Sequence, residues 1–245
     1  MFRKFGISLL LATAVPALVA TPAAVAQQVE TRQVGQATLQ NVPPVPAEVS
    51  AAVQRYQNSR AAEFEGWLPD GSILIATRFG ATQQIHHVAA PGAARTQITF
   101  GNEPVASAHV IPGTSRFVKV QDTGGDEWFQ LHAQGLTGQA RQVTTPGTRN
   151  SSPVFNADGS LMVWAEAGKG SANYRFLAAD PNSHAAPRKL LEVNGAVSPA
   201  DLSADGASLL YLRSLSNRES QIQDRKSGSA GMPRPRERSR MPSSA

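Results

Sequence analysis

Short apolar runs separated by turn residues fill the middle of the chain. Ile73-Leu74-Ile75-Ala76, Phe117-Val118-Lys119-Val120, Leu161-Met162-Val163-Trp164 and Ser208-Leu209-Leu210-Tyr211-Leu212 are four such runs. Each follows a turn: Pro69-Asp70-Gly71-Ser72, Pro112-Gly113-Thr114, Asp158-Gly159-Ser160 or Asp205-Gly206-Ala207. An Asp-Gly or Pro-Gly pair before a short apolar run predicts a tight β-hairpin, because glycine accepts positive φ. The four glycines are spaced by 42, 46 and 47 residues. A hairpin recurring every 40–50 residues has the period of a four-stranded propeller blade.

The remaining strands of each repeat fall where the period requires them. Gln84–Val88 and Thr96–Phe100 supply strands three and four of the first repeat, with Pro91-Gly92 as the turn between them. Trp128–His132 and Arg141–Thr144 do so in the second, and Tyr174–Leu177 and Arg188–Glu192 in the third. Gly and Pro punctuate residues 62–216 too often for helices. One helix is expected before the blades, over residues 46–60, where Val49, Val53 and Tyr56 share a face. The fold expected is therefore all-β: an incomplete β-propeller of about three and a half four-stranded blades over residues 61–222, preceded by one short helix. Such an arc leaves an open strand edge and an uncovered blade face, where further blades or a protein partner would complete it.

The ends of the chain read differently. Arg3 and Lys4, the apolar stretch Phe5–Ala20 and the small residues Ala24-Val25-Ala26 have the form of a secretory signal peptide over residues 1–26. Cleavage is expected after Ala26, giving a periplasmic or secreted protein with no membrane anchor. Residues 27–45 form a lead-in that ends in the Pro-rich Val42–Pro46. From about residue 223 the chain is rich in Arg, Pro, Ser and Gly and poor in apolar residues, so a disordered basic tail is expected over 223–245. The chain has no cysteine, so it uses neither disulfides nor thiolate metal sites.

Charge changes the picture of partners. The chain holds 23 Lys+Arg against 18 Asp+Glu, a net of +5. Setting aside two positives in residues 1–26, and seven positives and three negatives in 217–245, leaves 14 positives against 15 negatives. The predicted folded region thus has a net charge of −1. Nucleic-acid binding needs a basic face on the folded domain, so it is not expected.

Candidate chemistry is sparse. Asp122, Asp126 and Glu127 form the densest acidic group. Its carboxylates could pair with a peptide amino terminus, with Arg78 and Glu103 as neighbours by blade position. The competing reading is turn chemistry, with Asp122 capping its turn, Gly124-Gly125 at positive φ and Glu127 in a salt bridge. The spacing lacks the alternating oxygen ligands of a calcium loop. His86 and His87 are adjacent on a strand, point to opposite faces and cannot share one metal ion. His109, His132 and His184 are scattered, with no nucleophile identifiable beside them. No cofactor is expected. Trp67, Trp128 and Trp164 occur once per repeat and are expected to pack between blades.

Longer motifs carry a resemblance. Tyr56-x-x-x-Arg60-x-x-x-Phe64-x-Gly66-Trp67-x-Pro69-Asp70-Gly71, Thr77-Arg78-Phe79-Gly80 and Gln84-Ile85-His86 resemble the first blade of bacterial dipeptidyl aminopeptidases and acylaminoacyl peptidases. Asp122-Thr123-Gly124-Gly125-Asp126-Glu127 is similar to a second-blade motif of the same prolyl oligopeptidase superfamily. The Asp-Gly hairpins resemble the TolB-like propeller repeat. The likeness covers about residues 45–222. It implies a propeller that caps an α/β-hydrolase domain with a Ser-Asp-His triad and admits short peptide substrates to it. No Gly-x-Ser-x-Gly elbow is present; Gly228-Ser229-Ala230-Gly231 has the wrong spacing. The expectation is a substrate-gating fragment of a serine peptidase, not an enzyme as it stands, with the catalytic domain absent and the tail out of frame beyond residues 221–226. The alternative is a stand-alone TolB-like propeller that binds a protein. Translating the DNA beyond the last codon tests the first reading: a Gly-x-Ser-x-Gly elbow is expected in one frame, and its absence from all frames overturns it.

Overall fold

The structure is a computed structural model that describes residues 29–57, 59–226 and 237–242. The expected leader lies outside the described residues, as does Gly228–Gly231. Within the lead-in, residues 31–40 form a hairpin that the sequence reading did not anticipate: β1 (Thr31–Val34) pairs with β2 (Ala37–Gln40). No apolar face marks it. It is held by its backbone ladder, by Thr38 Oγ1 donating to Gln33 Oε1 (2.8 Å), and by Glu30 and Asn41 exchanging two hydrogen bonds at its base. Helix α1 follows over Ala47–Gln57, inside the expected 46–60. The Pro46 carbonyl accepts from Val49 and Ser50 at its start. Glu48 in its first turn and Arg55 in its last complement the helix dipole. None of its residues is buried, so the Val49, Val53 and Tyr56 face has no cover among the described residues.

Four antiparallel sheets then follow in chain order. Blade 1 is β3 (Ala62–Trp67), β4 (Ile73–Thr77), β5 (Gln84–Val88) and β6 (Thr96–Gln97). Blade 2 is β7 (Val105–Val110), β8 (Arg116–Gln121), β9 (Gln130–Gly135) and β10 (Arg141–Gln142). Blade 3 is β11 (Thr148–Asn150), β12 (Val154–Phe155), β13 (Met162–Gly168), β14 (Asn173–Ala179) and β15 (Arg188–Asn194), with β11 and β12 both paired to β13. Blade 4 is β16 (Val197–Leu202), β17 (Ser208–Ser216), β18 (Glu219–Lys226) and β19 (Glu237–Pro242). The architecture is an all-β propeller arc after one short helix, but the fourth blade has all four strands rather than half of them.

Order also continues past residue 223, contrary to the expected tail. β18 runs to Lys226 along β17, and residues 237–242 pair with β18. Backbone N–H and C=O groups make this ladder, and they do not need apolar side chains. Gln221 and Gln223 are buried on β18, in register with Arg213 and Tyr211.

The core lies between blades. The residue that closes each turn is Ser72, Arg116, Leu161 or Ser208, whose carbonyls accept from Leu68, Ile111, Asn156 and Ser203. Counting from it, side chains alternate between the preceding and the following blade. Leu74 and Ala76 meet Val105, Ala108 and Phe117 between blades 1 and 2. Val118 and Val120 meet Met162 and Trp164 between blades 2 and 3. Val163 and Ala165 meet Val197, Leu202, Leu209 and Tyr211 between blades 3 and 4. Of the tryptophans, Trp164 is fully buried there and donates Nε1–H to Asn150 Oδ1 (3.1 Å). Trp128 is half-buried, and Trp67 is exposed on the outer face of blade 1, where no preceding blade covers it.

The turns at one end of the arc are stapled alike. Asp70, Asp158 and Asp205 each accept from a backbone N–H two residues on, at 2.9–3.0 Å. Hydrogen bonds from Ser72, Ser160 and Ser203 hold these carboxyls below the usual range. Neighbouring turns touch: Ala157 N–H donates to Ala204 O (3.2 Å), and a Cβ on Gly159 would lie 2.4 Å from Pro112 O. Gly159→Ala is therefore expected to cost about 2–4 kcal/mol, from its positive φ and the clash together. Gly92→Ala, at φ +77° in open space, is expected to cost about 1 kcal/mol. Urea denaturation of both variants checks the contrast; equal losses would show that the turns do not pack.

Candidate functional site

The end opposite those turns carries the β4–β5 and β8–β9 loops and the β6–β7 connection. The acidic group and the two residues named beside it are all here: Arg78 follows β4, Glu103 precedes β7, and Asp122, Asp126 and Glu127 follow β8. The acidic loop is internally capped. Asp122 is buried, and its Oδ2 accepts from Glu127 N–H (3.0 Å). Asp126 N–H donates to Thr123 O (3.3 Å), and Asp126 Oδ1 accepts from Trp128 N–H (2.9 Å). Gly124 and Gly125 take φ +64° and +72°.

Glu127 takes φ +58°, a left-handed conformation that costs a side chain of its size about 1–2 kcal/mol. The salt bridge expected on Glu127 does not form among the described residues; the side chain is exposed. Two of the three carboxylates are thus committed to the turn, and one is presented to solvent. Arg78 does not join them: its Nη2 donates to Gln57 O (2.6 Å) at the end of α1. Arg78 also lines a separate cleft of about 430 Å³ with Ser59, Gln83 and Pro104. The main chain of Glu103 accepts from Gln84 and Gln121 side-chain amides, each at 2.9 Å.

Sequence reasoning missed what rests on this loop. The turn of the β1–β2 hairpin docks against it, with Gln36 N–H donating to Gly124 O (3.3 Å). A Cβ on Gly35 would stand 2.9 Å from that same oxygen, so only glycine permits the approach. The signal available was Val34-Gly35-Gln36, a turn between two short polar stretches.

Four of the five histidines fall in three settings. His86 is buried against Phe79, with ring centroids 5.2 Å apart, and His87 faces the other side of β5. Ser107 Oγ lies 3.3 Å from His109 Nε2, a pairing the sequence reading did not identify. Residues two apart on β7 share a face, which is sufficient to bring them together. No carboxylate bonds the other ring nitrogen of His109 among the described residues, so the third member of a triad is not assembled. His132 lies in the seam between blades 1 and 2, opposite Lys119 in the β8–β9 register. Lys119 donates to Gln121 Oε1 (2.8 Å), and burial pulls its ammonium below the usual lysine range. Burial and then the Lys119 charge push His132 down to about 4. In the same seam Glu65 accepts from Ala108 N–H (2.8 Å), and burial raises its carboxyl. Among the described residues no three His, Asp or Glu side chains converge as metal donors.

No protein-family model matches the chain, and no curated protein does. Solved structures match its fold. TolB from Acinetobacter baumannii superposes with a TM-score of 0.51 at 20% identity, over 69% of this chain and 40% of its own. Oligogalacturonate lyase from Vibrio parahaemolyticus gives 0.56 at 12%, over 82% and 58%. A prolyl endopeptidase gives 0.56 at 10%, over 86% and 39%. The chain therefore shares the β-propeller fold of these proteins, and it spans less than two thirds of the length of each of them.

The burial of His132, with the Lys119 charge opposite it in register, generates a pH dependence. The folded chain favours the neutral His132 ring, with a pKa of about 4 against an ordinary 6.5. Its contribution is complete above pH 6.5, where both states are neutral. It is lost as pH falls from 6.5 towards 4, where the unfolded chain takes up the proton first. The loss expected is about 2 kcal/mol, allowing for partial solvation of the ring. Raised Glu65 works in the opposite direction in part of this window, so the readout is a difference. Urea denaturation at pH 7.5 and pH 4 should show wild type losing more stability than His132→Gln; equal losses would remove His132 as the cause.

Proposed function

We propose that this chain is the substrate-gating propeller portion of an exported serine peptidase similar to dipeptidyl aminopeptidases and acylaminoacyl peptidases. In this reading the nucleophile and its triad belong to a hydrolase domain outside the chain, and the arc selects what reaches it. The observation that carries the reading is Glu127. The chain accepts a left-handed backbone at this residue and commits Asp122 to fixing it, yet leaves the carboxylate unpaired among the described residues. Strain of this kind gathers where a side chain must be aimed. A fixed, unpaired carboxylate is complementary to the ammonium of a peptide amino terminus, and such a charge-assisted hydrogen bond is among the stronger polar contacts. The two long motifs, of which the acidic loop is one, and the fold shared with a prolyl endopeptidase support the same reading. The apolar leader supports export.

The chain is expected to bind short peptides with a free amino terminus in preference to their N-acetylated forms, measured by isothermal titration calorimetry. Glu127→Gln should weaken the free-amine peptides about tenfold, equivalent to about 1.4 kcal/mol, and leave the acetylated ones unchanged. No discrimination by the wild-type chain would defeat the gating role, and stable capture of a folded protein in its place would favour the TolB-like alternative. Aminoacyl and dipeptidyl anilides should not be hydrolysed by the purified chain. Hydrolysis abolished by a serine-directed inhibitor and by Ser107→Ala would instead make Ser107 and His109 the working pair.

A further inference from the structure

The cleft beside Arg78 plays no part in holding a peptide amino terminus. It is built by connections and not by strands: Ser59 precedes β3, Arg78 follows β4, Thr82 and Gln83 precede β5, and Pro104 precedes β7. It therefore opens at the loop end of the arc and does not rely on an uncovered blade face. Its volume is about 430 Å³. Small-ligand sites span roughly 300–1,000 Å³.

Arg78 is half-buried in the wall of this cleft. Thr77, the residue before it, is buried and donates to Ala61 O (2.7 Å), which fixes the strand end from which Arg78 projects. Arg78 Nη2 donates to Gln57 O (2.6 Å). Gln57 is the last residue of α1, and a helix leaves its last carbonyls without an internal partner. This bond orients the guanidinium but uses only part of a five-donor fork. The other Arg78 N–H groups have no partner among the described residues. No acidic side chain lines the cleft among those residues. Neighbouring cations are unpaired as well. The Arg60 guanidinium stands 5.0 Å from the centre of the Phe79 ring, and Arg95 Nη1 donates to Arg60 O (3.1 Å). None of Arg60, Arg78 and Arg95 has a carboxylate partner among the described residues. Capping Gln57 O needs a single N–H, which an uncharged amide also supplies. The charge and the remaining donors of Arg78 are left over from that role.

An arginine fork matches a carboxylate through two parallel hydrogen bonds. We propose that the cleft beside Arg78 binds the C-terminal carboxylate of a short peptide. The choice of a peptide as the ligand rests on the reading of this end of the propeller as peptide-binding. The way the cleft adjoins the acidic loop supports it. Pro104 lines the cleft, Glu103 O accepts from Gln121 Nε2 (2.9 Å), and Asp122 follows Gln121. A cation on blade 1 and a carboxylate on blade 2 thus stand on adjoining connections, a charge pattern complementary to a peptide with both ends free. The ligands selected at this cleft are then short peptides with a free carboxyl terminus, in preference to internal segments of a longer chain.

Isothermal titration calorimetry of the full chain with N-acetyl-trialanine and with its C-terminal amide tests the cleft without involving Glu127. The free acid is expected to bind about tenfold more tightly than the amide. Arg78→Gln keeps an N–H for Gln57 O and removes the charge. It should abolish the difference and leave the far-ultraviolet circular dichroism and the melting temperature unchanged. Glu127→Gln should keep the difference. Equal binding of acid and amide by the wild-type chain overturns the proposal, and this comparison needs no variant to fold. If free amines are then still preferred to acetylated peptides, the gating reading survives that result. A preference for acid over amide with no preference for free amines does the reverse. N-acetyl-alanyl-glutamyl-alanine amide binding as tightly as N-acetyl-trialanine overturns the assignment to a terminus, because a side-chain carboxylate then serves equally. An acid–amide difference that persists in Arg78→Gln overturns it too, because the carboxylate is then held elsewhere.

Discussion

A propeller blade has two apolar faces and cannot cover either by itself. This constraint organises the chain from blade 1 to blade 4. The run Met162-Val163-Trp164-Ala165 contains no polar residue because β13 is buried on both sides: Met162 and Trp164 face blade 2, and Val163 and Ala165 face blade 4. Such a run reads as a continuous apolar strand and not as an alternating one. Each large side chain buried this way contributes about 1.5–3 kcal/mol, and each depends on the presence of its neighbour. Stability therefore accumulates blade by blade, as in other repeat architectures, and it is lowest at the two end faces.

The same constraint separates structure from function along the propeller axis. At the Asp-Gly end, turns are short, capped by their own aspartates and packed on each other, with Gly159 against Pro112 as the tightest approach. Little there is free to recognise anything. At the other end the β8–β9 loop and the β6–β7 connection are longer than these turns, the β1–β2 hairpin docks on the β8–β9 loop, and the Glu127 carboxylate, unpaired among the described residues, and the cleft beside Arg78 face outward. Loops on a rigid scaffold are where binding residues concentrate.

What could be read in the sequence follows from these physical differences. The four hairpins and their period were legible because glycine at positive φ and the following apolar run each leave a local mark. The helix was legible from its period, but that nothing covers it was not, because cover is a property of other segments. β18 and β19 escaped notice because their ladder is made by backbone groups beneath polar side chains such as Gln221 and Gln223. Trp67 was assigned to a blade interface on the strength of its repeat position. The position was right in register, and among the described residues no preceding blade covers it. At the acidic loop, residue types pointed to turn chemistry for Asp122 and to a salt bridge for Glu127. The first depends on backbone donors two to five residues away and is local. The second needed a cation from another loop, and Arg78 is spent on Gln57 O.

The seam between blades 1 and 2 is partly polar. Lys119, Gln121 and His132 lie on the face of blade 2 that carries Phe117 towards blade 1, and Glu65 reaches across to the Ala108 N–H. Apolar side chains alone would let neighbouring blades settle in more than one register at similar cost. Directed bonds such as Glu65 to Ala108 and Gln134 to Ile98 O (2.9 Å) are satisfied in a single register. Gln121 links this seam to the candidate site: it accepts from Lys119, donates to Glu103 O, and is followed directly by Asp122. The residue that fixes the Glu127 backbone therefore extends from the one interface whose hydrogen bonds and charges set how blades 1 and 2 meet.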